Sequence, residues 1–216
     1  MRDEGPKISP ELLLAAYRAG VFPMSEGRDD PEVFWVDPRQ RGILPLDAFR
    51  MSRSLRKTMR RGHLHATTDL AFDRVVEGCA AREETWINAT IFDLYAQLHA
   101  QGHAHSVEIW QDEALVGGVY GVVIGGAFFG ESMFSTVTDA SKMALAYLVD
   151  RLRTQGFTLF DTQFVTDHLL SLGAVEIPRS AYHAALADAV LRRVDYGPAG
   201  MMAPVQDVIQ RSTQTS

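Results

Sequence analysis

Two acids and one amide stand where strand ends would gather them. Phe157–Gln163 reads as a strand, and alternation puts Phe157, Leu159, Asp161 and Gln163 on one face. Ala127–Ser132 reads as another, with Ala127, Phe129 and Glu131 on one face. Lying side by side and parallel, the two strands would bring Glu131, Asp161 and Gln163 together at their C-terminal ends. That is the usual place for a ligand in an open α/β sheet. A carboxylate late in an apolar strand costs free energy unless it is paired or functional. The plain reading is that each acid meets a capping amide or an arginine. The sharper one is that the three together form a functional ligand site.

A second concentration of chemistry is basic. Arg50–Arg61 reads as a helix ended by Gly62. At 100° per residue, Arg50, Arg53, Arg56, Lys57, Arg60 and Arg61 fall within an arc of about 140°, with Met51, Leu55 and Met59 on the opposite side. The chain has 21 Lys and Arg against 27 Asp and Glu, a net charge of −6. Without those six cations the balance is 15 against 27, or −12, so the charge is segregated. Such a face is either a solvated helix surface or, with no acid interleaved, a phosphate-binding one. Trp35 lies among loop residues, and Trp86 follows the polar run Arg82-Glu83-Glu84-Thr85. Aromatics in polar loops suit base stacking as well as packing.

Other reactive residues carry less. His63, His65, His103 and His105 invite a metal reading, but no cysteine pair and no H-E-x-x-H accompanies them, so no metal is expected. Cys79 follows an apolar helical run and reads as a small buried hydrophobe. Ser132 and Ser135 lack a preceding G-x-S-x-G, which weakens a hydrolase reading.

The elements that must position these groups are readable in outline. Ser9-Pro10-Glu11 opens a helix that Gly20 ends, with Leu12, Leu13, Ala16 and Tyr17 as its apolar face. Residues 21–45 are loop-rich, with a short strand candidate at Val33–Val36. A second region starts near His63. Ala71–Ala81 and Thr90–Gln101 read as helices. His105–Trp110, Ala114–Val123 and Ala127–Ser132 read as an antiparallel meander turning at Gln111-Asp112-Glu113 and Ile124-Gly125-Gly126. Ala140–Arg153 is a helix with Asp139 as expected N-cap and Gly156 as its stop. It carries the chain across to Phe157–Gln163, a βαβ crossover that makes this strand parallel to Ala127–Ser132. Helices near Asp167–Leu172 and Ala181–Arg193 follow, and the tail after Asp195 shows little pattern.

Composition sets the frame. With 46% hydrophobic and 22% charged residues over 216 positions, disordered, collagen-like and coiled-coil classes are excluded. The longest charge-free apolar run, Ala114–Gly130, is short for a membrane span and broken by paired glycines. One cysteine and a polar, charged N-terminus fit a cytoplasmic protein with no membrane partner.

Several stretches together resemble a known family. They are Ala16-Tyr17-Arg18-Ala19-Gly20-Val21-Phe22-Pro23, and Phe34-Trp35 with Asp37-Pro38-Arg39. They continue with Ser52-Arg53-Ser54-Leu55, Gly102–Glu108, Gly117–Gly121, Phe129–Ser135, Asp139–Lys142, Asp161-Thr162-Gln163 and Ser171–Arg179. This pattern resembles the bacterial leucyl/phenylalanyl-tRNA–protein transferases over nearly the whole chain. G-E-S-M-F-S followed by D-x-Q is its most specific part. Met24 stands where many members carry Trp.

The resemblance implies an α+β fold: a small N-terminal domain, taken here as residues 1–62, and a GNAT-like acyltransferase domain, residues 63–216, with a mixed, mainly antiparallel sheet. It implies transfer of Leu, Phe or Met from aminoacyl-tRNA to proteins beginning with Arg or Lys, marking them for proteolysis, with no cofactor. Asp161, Gln163 and Glu131 are then the expected catalytic residues. Gln163 would bond the reacting centre, Asp161 would orient Gln163 and help relay the amine proton, and Glu131 would hold the amine or the acceptor's cationic side chain. Trp35 and Trp86 would stack on the tRNA's terminal adenosine. The Arg50–Arg61 face would take the tRNA backbone, and Phe128, Met133 and Leu145 the aminoacyl side chain, although these three could equally be core. Two readings compete. An acetyl-CoA enzyme needs a glycine-bearing pyrophosphate loop, whereas Ser135–Ala140 has no glycine and an acid. A non-catalytic tRNA-binding module leaves the acid–amide trio without a purpose.

Overall fold

The computed structural model describes residues 8–28, 30, 32–82 and 85–213. Ser9 caps the first helix, α1 (Pro10–Arg18), by accepting the Leu12 amide, and Pro10 fits its first turn. Two short strands, β1 (Phe22–Met24) and β2 (Phe34–Val36), pair antiparallel as a separate ribbon with Pro23 opposite Trp35. Next come β3 (Gln40–Ile43), α2 (Arg53–Arg60), β4 (His65–Thr68), α3 (Phe72–Ala80) and α4 (Ala89–Ala100). The meander is β5 (Ala104–Gln111), β6 (Ala114–Ile124) and β7 (Ala127–Ser135). Then follow α5 (Ala140–Gln155), β8 (Leu159–Gln163), α6 (Asp167–Ser171), β9 (Val175–Pro178), α7 (Arg179–Ala189), β10 (Gly200–Met201) and α8 (Val205–Thr213).

Eight strands form one sheet in the order β10-β4-β5-β6-β7-β8-β3-β9. Among the described residues only β7 and β8 pair in parallel, so the sheet is mixed and mainly antiparallel, as expected. Helices cover both faces. Leu13, Tyr17, Val75, Tyr95 and Tyr182 of α1, α3, α4 and α7 pack with Phe129 and Leu159 on one face. Leu55, Leu145, Leu148 and Val208 of α2, α5 and α8 pack with Val119, Phe128 and Phe160 on the other. Phe128 and Phe129 point to opposite layers because a strand alternates.

Several expectations shift. The basic helix starts at Arg53, because the Ser52 side chain accepts the Leu55 amide at 3.1 Å. Arg50 therefore lies before the helix, its amide donating to the Leu172 carbonyl. Asp139 precedes α5 but does not cap it: its backbone is left-handed (φ 69°), and its carboxylate accepts from Thr58 at 3.0 Å and Lys142 at 3.2 Å. Gly156 ends α5 at φ 89°, a conformation glycine adopts freely. The tail forms β10 and α8, where Val208 and Ile209 are buried. Packing also runs across the expected border at Gly62: β3 lies between β8 and β9, and Leu55 and Met59 share a core with α5. Among the described residues no helix is long and apolar enough to cross a membrane.

Candidate active site

The parallel pair is short. Ala127, Phe128 and Phe129 face Leu159, Phe160 and Asp161, and there pairing stops. At this point β7 bulges: Gly121 of β6 pairs with Gly130 and Tyr120 with Ser132, leaving Glu131 as the extra residue. Glycine at Gly121 has a reason, since a Cβ there would press on the Phe129 carbonyl oxygen and the Phe128 ring. Beyond the bulge the strands part, and a cleft of about 220 Å³ opens. Glu131, Gln163, Met133, Trp86, Phe22 and Met24 are among the residues lining it.

Asp161 lies behind this cleft, fully buried. Arg41 grips it twice, Nε to Oδ1 at 2.9 Å and Nη2 to Oδ2 at 2.6 Å. Tyr182 donates to Oδ2 at 2.7 Å, and the Gln163 amide donates to Oδ1 at 2.8 Å. Arg41 is itself buried, between the Phe22 ring (4.5 Å) and the Tyr182 ring (4.4 Å), and donates to the Gly20 carbonyl at 3.0 Å. A desolvated charge pair needs this degree of satisfaction to persist.

Four donors fill both Asp161 oxygens. No lone pair of either oxygen is left open. The plain reading, an acid meeting an arginine, describes its surroundings. Gln163 ends β8 with φ 56°, a strained value for a residue with a side chain. The hydrogen bond its backbone N–H donates to Asp161 Oδ1 holds that conformation, and its Nε2 donates to Glu131 Oε1 at 3.4 Å.

Glu131 opens partly to the cleft. The hydroxyls of Tyr17 on α1 and Tyr95 on α4 lie 2.7 Å from its Oε1 and Oε2. Burial pushes its pKa up to about 7. The tyrosine contacts pull it down, Asp161 pushes it up and Arg41 draws it down again. The carboxyl group therefore titrates where proton transfer at neutral pH is efficient.

The other expected residues divide. Trp86 lines the cleft, its segment tied to the end of β1 by the Ser25 hydroxyl, which donates to the Trp86 carbonyl at 2.7 Å. Trp35 is 38% exposed on β2, opposite Pro23, which lines the cleft. Met133 lines the cleft, but Phe128 and Leu145 sit in the closed core at 1% and 2% exposure and do not reach it. Arg53, Lys57, Arg60 and Arg61 are exposed. Arg50 and Arg56 border a second cleft of about 440 Å³ with Ser52 and Ser171. None of the six makes an ion pair among the described residues. Helix α6 joins the two clefts, with Leu169 in the first and Ser171 in the second.

Arg41, Tyr182 and Tyr95 escaped the sequence reading. Only the need of a buried Asp161 for a cation pointed toward Arg41, and nothing in Gln40–Ile43 marked which cation. Tyr17 was read as an apolar helix residue, without its hydroxyl. Cys79 is buried, and burial pushes its thiol up to about 12. Two of the four histidines are separately engaged: His65 stacks on Trp110, and His105 Nδ1 meets Asp69 at 2.7 Å. Among the described residues no three His, Cys, Asp or Glu are grouped to hold a metal ion.

The profile of a family described as leucyl/phenylalanyl-tRNA protein transferase matches residues 43–187, and that of its N-terminal domain matches residues 7–39. The chain belongs to the leucyl/phenylalanyl-tRNA protein transferase family. A protein of that name from Cereibacter sphaeroides is 60% identical over 211 residues, covering 98% of this chain and 99% of its own. Another, from Ruegeria sp. (strain TM1040), is 61% identical over 209 residues, covering 97% and 99%. The crystal structure of FemX matches with a TM-score of 0.51 at 12% identity, covering 95% of this chain and 72% of that one, a likeness of fold alone. Membership makes the chain an aminoacyl-tRNA-dependent transferase, and a leucyl/phenylalanyl-tRNA protein transferase needs a place where an ester meets an amine. The cleft offers an acid of near-neutral pKa beside an amide donor, with aromatic and thioether walls.

Proposed function

We propose that this chain moves Leu, Phe or Met from aminoacyl-tRNA to the α-amine of proteins that begin with Arg or Lys, giving them an N-terminus recognised for proteolysis. The observation that carries this reading is Glu131 and Gln163 side by side in the cleft where β7 and β8 part. The ester is already activated, so no covalent relay is needed. Gln163 donates to the carbonyl oxygen as it gains charge. Asp161 acts through the Gln163 backbone, with Arg41 and Tyr182 locking it. Glu131 holds the incoming ammonium group and takes its proton. An acidic lining suits an acceptor that is cationic at both its α-amine and its side chain.

Trp86, with Trp35 at the rim, stacks on the terminal adenosine. The exposed cations of α2, with Arg50, Arg56 and Arg61, hold the tRNA backbone. Met133 meets the aminoacyl side chain, and a Met wall adapts to both Leu and Phe. Phe128 and Leu145 support that wall from the core. We read the sheet as GNAT-like, on its one parallel pair within antiparallel neighbours. The division at Gly62, with residues 1–62 as the N-terminal unit and 63–216 as the catalytic one, is kept as our reading, although β3 pairs into the main sheet. The protein works in the cytoplasm, where its tRNA substrate is found.

Incubation with labelled Leu-tRNA and a peptide beginning with Arg tests the reading. The expected product is an amide at the peptide's α-nitrogen, and an N-acetylated peptide stays inert. In single turnovers Gln163→Ala slows transfer by roughly 10²–10³-fold, the usual effect of losing one oxyanion donor. Wild-type rates in Gln163→Ala, Glu131→Ala and Asp161→Ala alike would overturn it.

A further inference from the structure

Glu131 sits in a ring with more contacts than obvious protons. Tyr17 Oη lies 2.7 Å from Glu131 Oε1, Tyr95 Oη 2.7 Å from Oε2, and the two hydroxyls 2.7 Å from each other. Each contact at this distance needs a proton, because two oxygens with none between them repel. The tyrosines supply two, and burial holds both hydroxyls well above the ordinary phenol range. The third has one source, the carboxyl group. With it the ring closes in one direction: Tyr95 donates to Tyr17, Tyr17 to Oε1, and the carboxyl O–H at Oε2 to Tyr95. A carboxylate would leave the tyrosine–tyrosine contact without a proton.

We propose that Glu131 is protonated in the free protein, held in a ring with Tyr17 and Tyr95, and surrenders that proton when an acceptor's cationic N-terminus enters the cleft. The second half of this inference rests on the acceptor role given to Glu131 above; the first half does not. The surrounding groups are balanced for such a change. Asp161 on β8 opposes a second negative charge, and Arg41 on β3 favours one. Arg82 lines the same cleft, Gln163 Nε2 lies 3.4 Å from Oε1, and Tyr120 on β6 packs edge-on against Tyr95 at 5.3 Å. The arriving ammonium group adds the positive charge that stabilises the ionised form.

The proton balance then closes over one turnover. Acceptor binding turns the carboxyl group into a carboxylate, and its proton leaves to solvent. The carboxylate takes a proton from the bound ammonium and frees the amine. The amine attacks the ester carbonyl: a C–N bond forms, the bond from that carbon to the ribose oxygen breaks, and a proton from nitrogen ends on the ribose oxygen. The amide and the free tRNA leave with Glu131 protonated as at the start. One proton reaches solvent per turnover, at acceptor binding and not in the chemical step. Tyr17 and Tyr95 are positioning residues in this cycle.

Carbon-13 NMR of δ-labelled glutamates in the full chain, titrated from pH 4.5 to 8.5, tests the ring. One glutamate titrates near neutrality in the wild type, and its signal is missing from Glu131→Gln, which also separates it from buried Glu108. In Tyr17→Phe/Tyr95→Phe the ionised form loses two charge-assisted bonds and the neutral form three weaker ones, so the midpoint moves up. Glutamates that all titrate below pH 5.5, or a near-neutral titration surviving in Glu131→Gln, would overturn the ring. Calorimetry with an Arg-initiated tripeptide at pH 6, in buffers of different ionisation enthalpy, reads the release. The wild type gives up about one proton per peptide bound, and Glu131→Gln none. Binding without release overturns the coupling. A peptide that fails to bind, beside an intact near-neutral titration, overturns the acceptor role and leaves the ring supported.

Discussion

At the scale of single residues, two carboxylates of one cluster are tuned in opposite ways. Asp161 is saturated by Arg41, Tyr182 and the Gln163 backbone N–H, whereas Glu131 accepts from the Tyr17 and Tyr95 hydroxyls and Gln163 Nε2. Removing one partner of a buried pair leaves the other charge uncompensated, so Arg41→Ala lowers unfolding free energy by about 3–5 kcal/mol in denaturant titration. The folded pKa of Glu131, about 7, stands above the ordinary glutamate value of 4.5. Folding therefore favours its protonated form, and this contribution to stability is complete below pH 4.5 and lost as pH rises through 7. Wild-type stability should fall between pH 5 and 7.5 by on the order of 2 kcal/mol more than that of Glu131→Gln, which cannot titrate. Equal slopes would mean that Glu131 ionises as an ordinary carboxylic acid. The sequence showed both acids and their convergence, because alternation along a strand is strict. It did not show which cation Asp161 takes, because Arg41 lies in a polar, proline-flanked stretch with no periodicity.

At the scale of elements, the meander and the crossover were legible because their hydrophobic runs are long and their turns carry polar or glycine signals. The bulge at Glu131 was not, although Gly121 and Gly130 marked it: glycine inside a strand points to a bulge or a close approach without saying which. Strands β3, β9 and β10 have four, four and two residues and were missed for want of length. The basic helix was legible as a face, but its start was misjudged by three residues because the Ser52 cap was not weighed. Among the described residues its cations make no ion pair, so they can be changed with little effect on the fold. Replacing Arg53, Lys57, Arg60 and Arg61 with Ala should lower the slope of log K against log salt for tRNA binding by roughly 3, reflecting four lost phosphate contacts. Thermal unfolding should stay within about 0.5 kcal/mol of wild type, as for other exposed positions. An unchanged salt slope would remove α2 from the tRNA path.

At the scale of the whole molecule, helices from both ends of the chain hold the site. Tyr17 comes from α1 and Tyr182 from α7, with Arg41 on a strand inserted between β8 and β9. The acid–amide cluster therefore depends on the complete fold and not on the parallel pair alone. This long-range assembly is what composition and local pattern leave unspecified, since nothing in residues 40–43 names their sheet neighbours. The most direct measurement is a crystal structure with a non-hydrolysable, amide-linked leucyl-adenosine bound. The predicted complex has its carbonyl oxygen within hydrogen-bond distance of Gln163 Nε2, its leucyl group against Met133 and its base on Trp86. A ligand seated away from the cleft between β7 and β8, or a carbonyl turned from Gln163, would contradict the account.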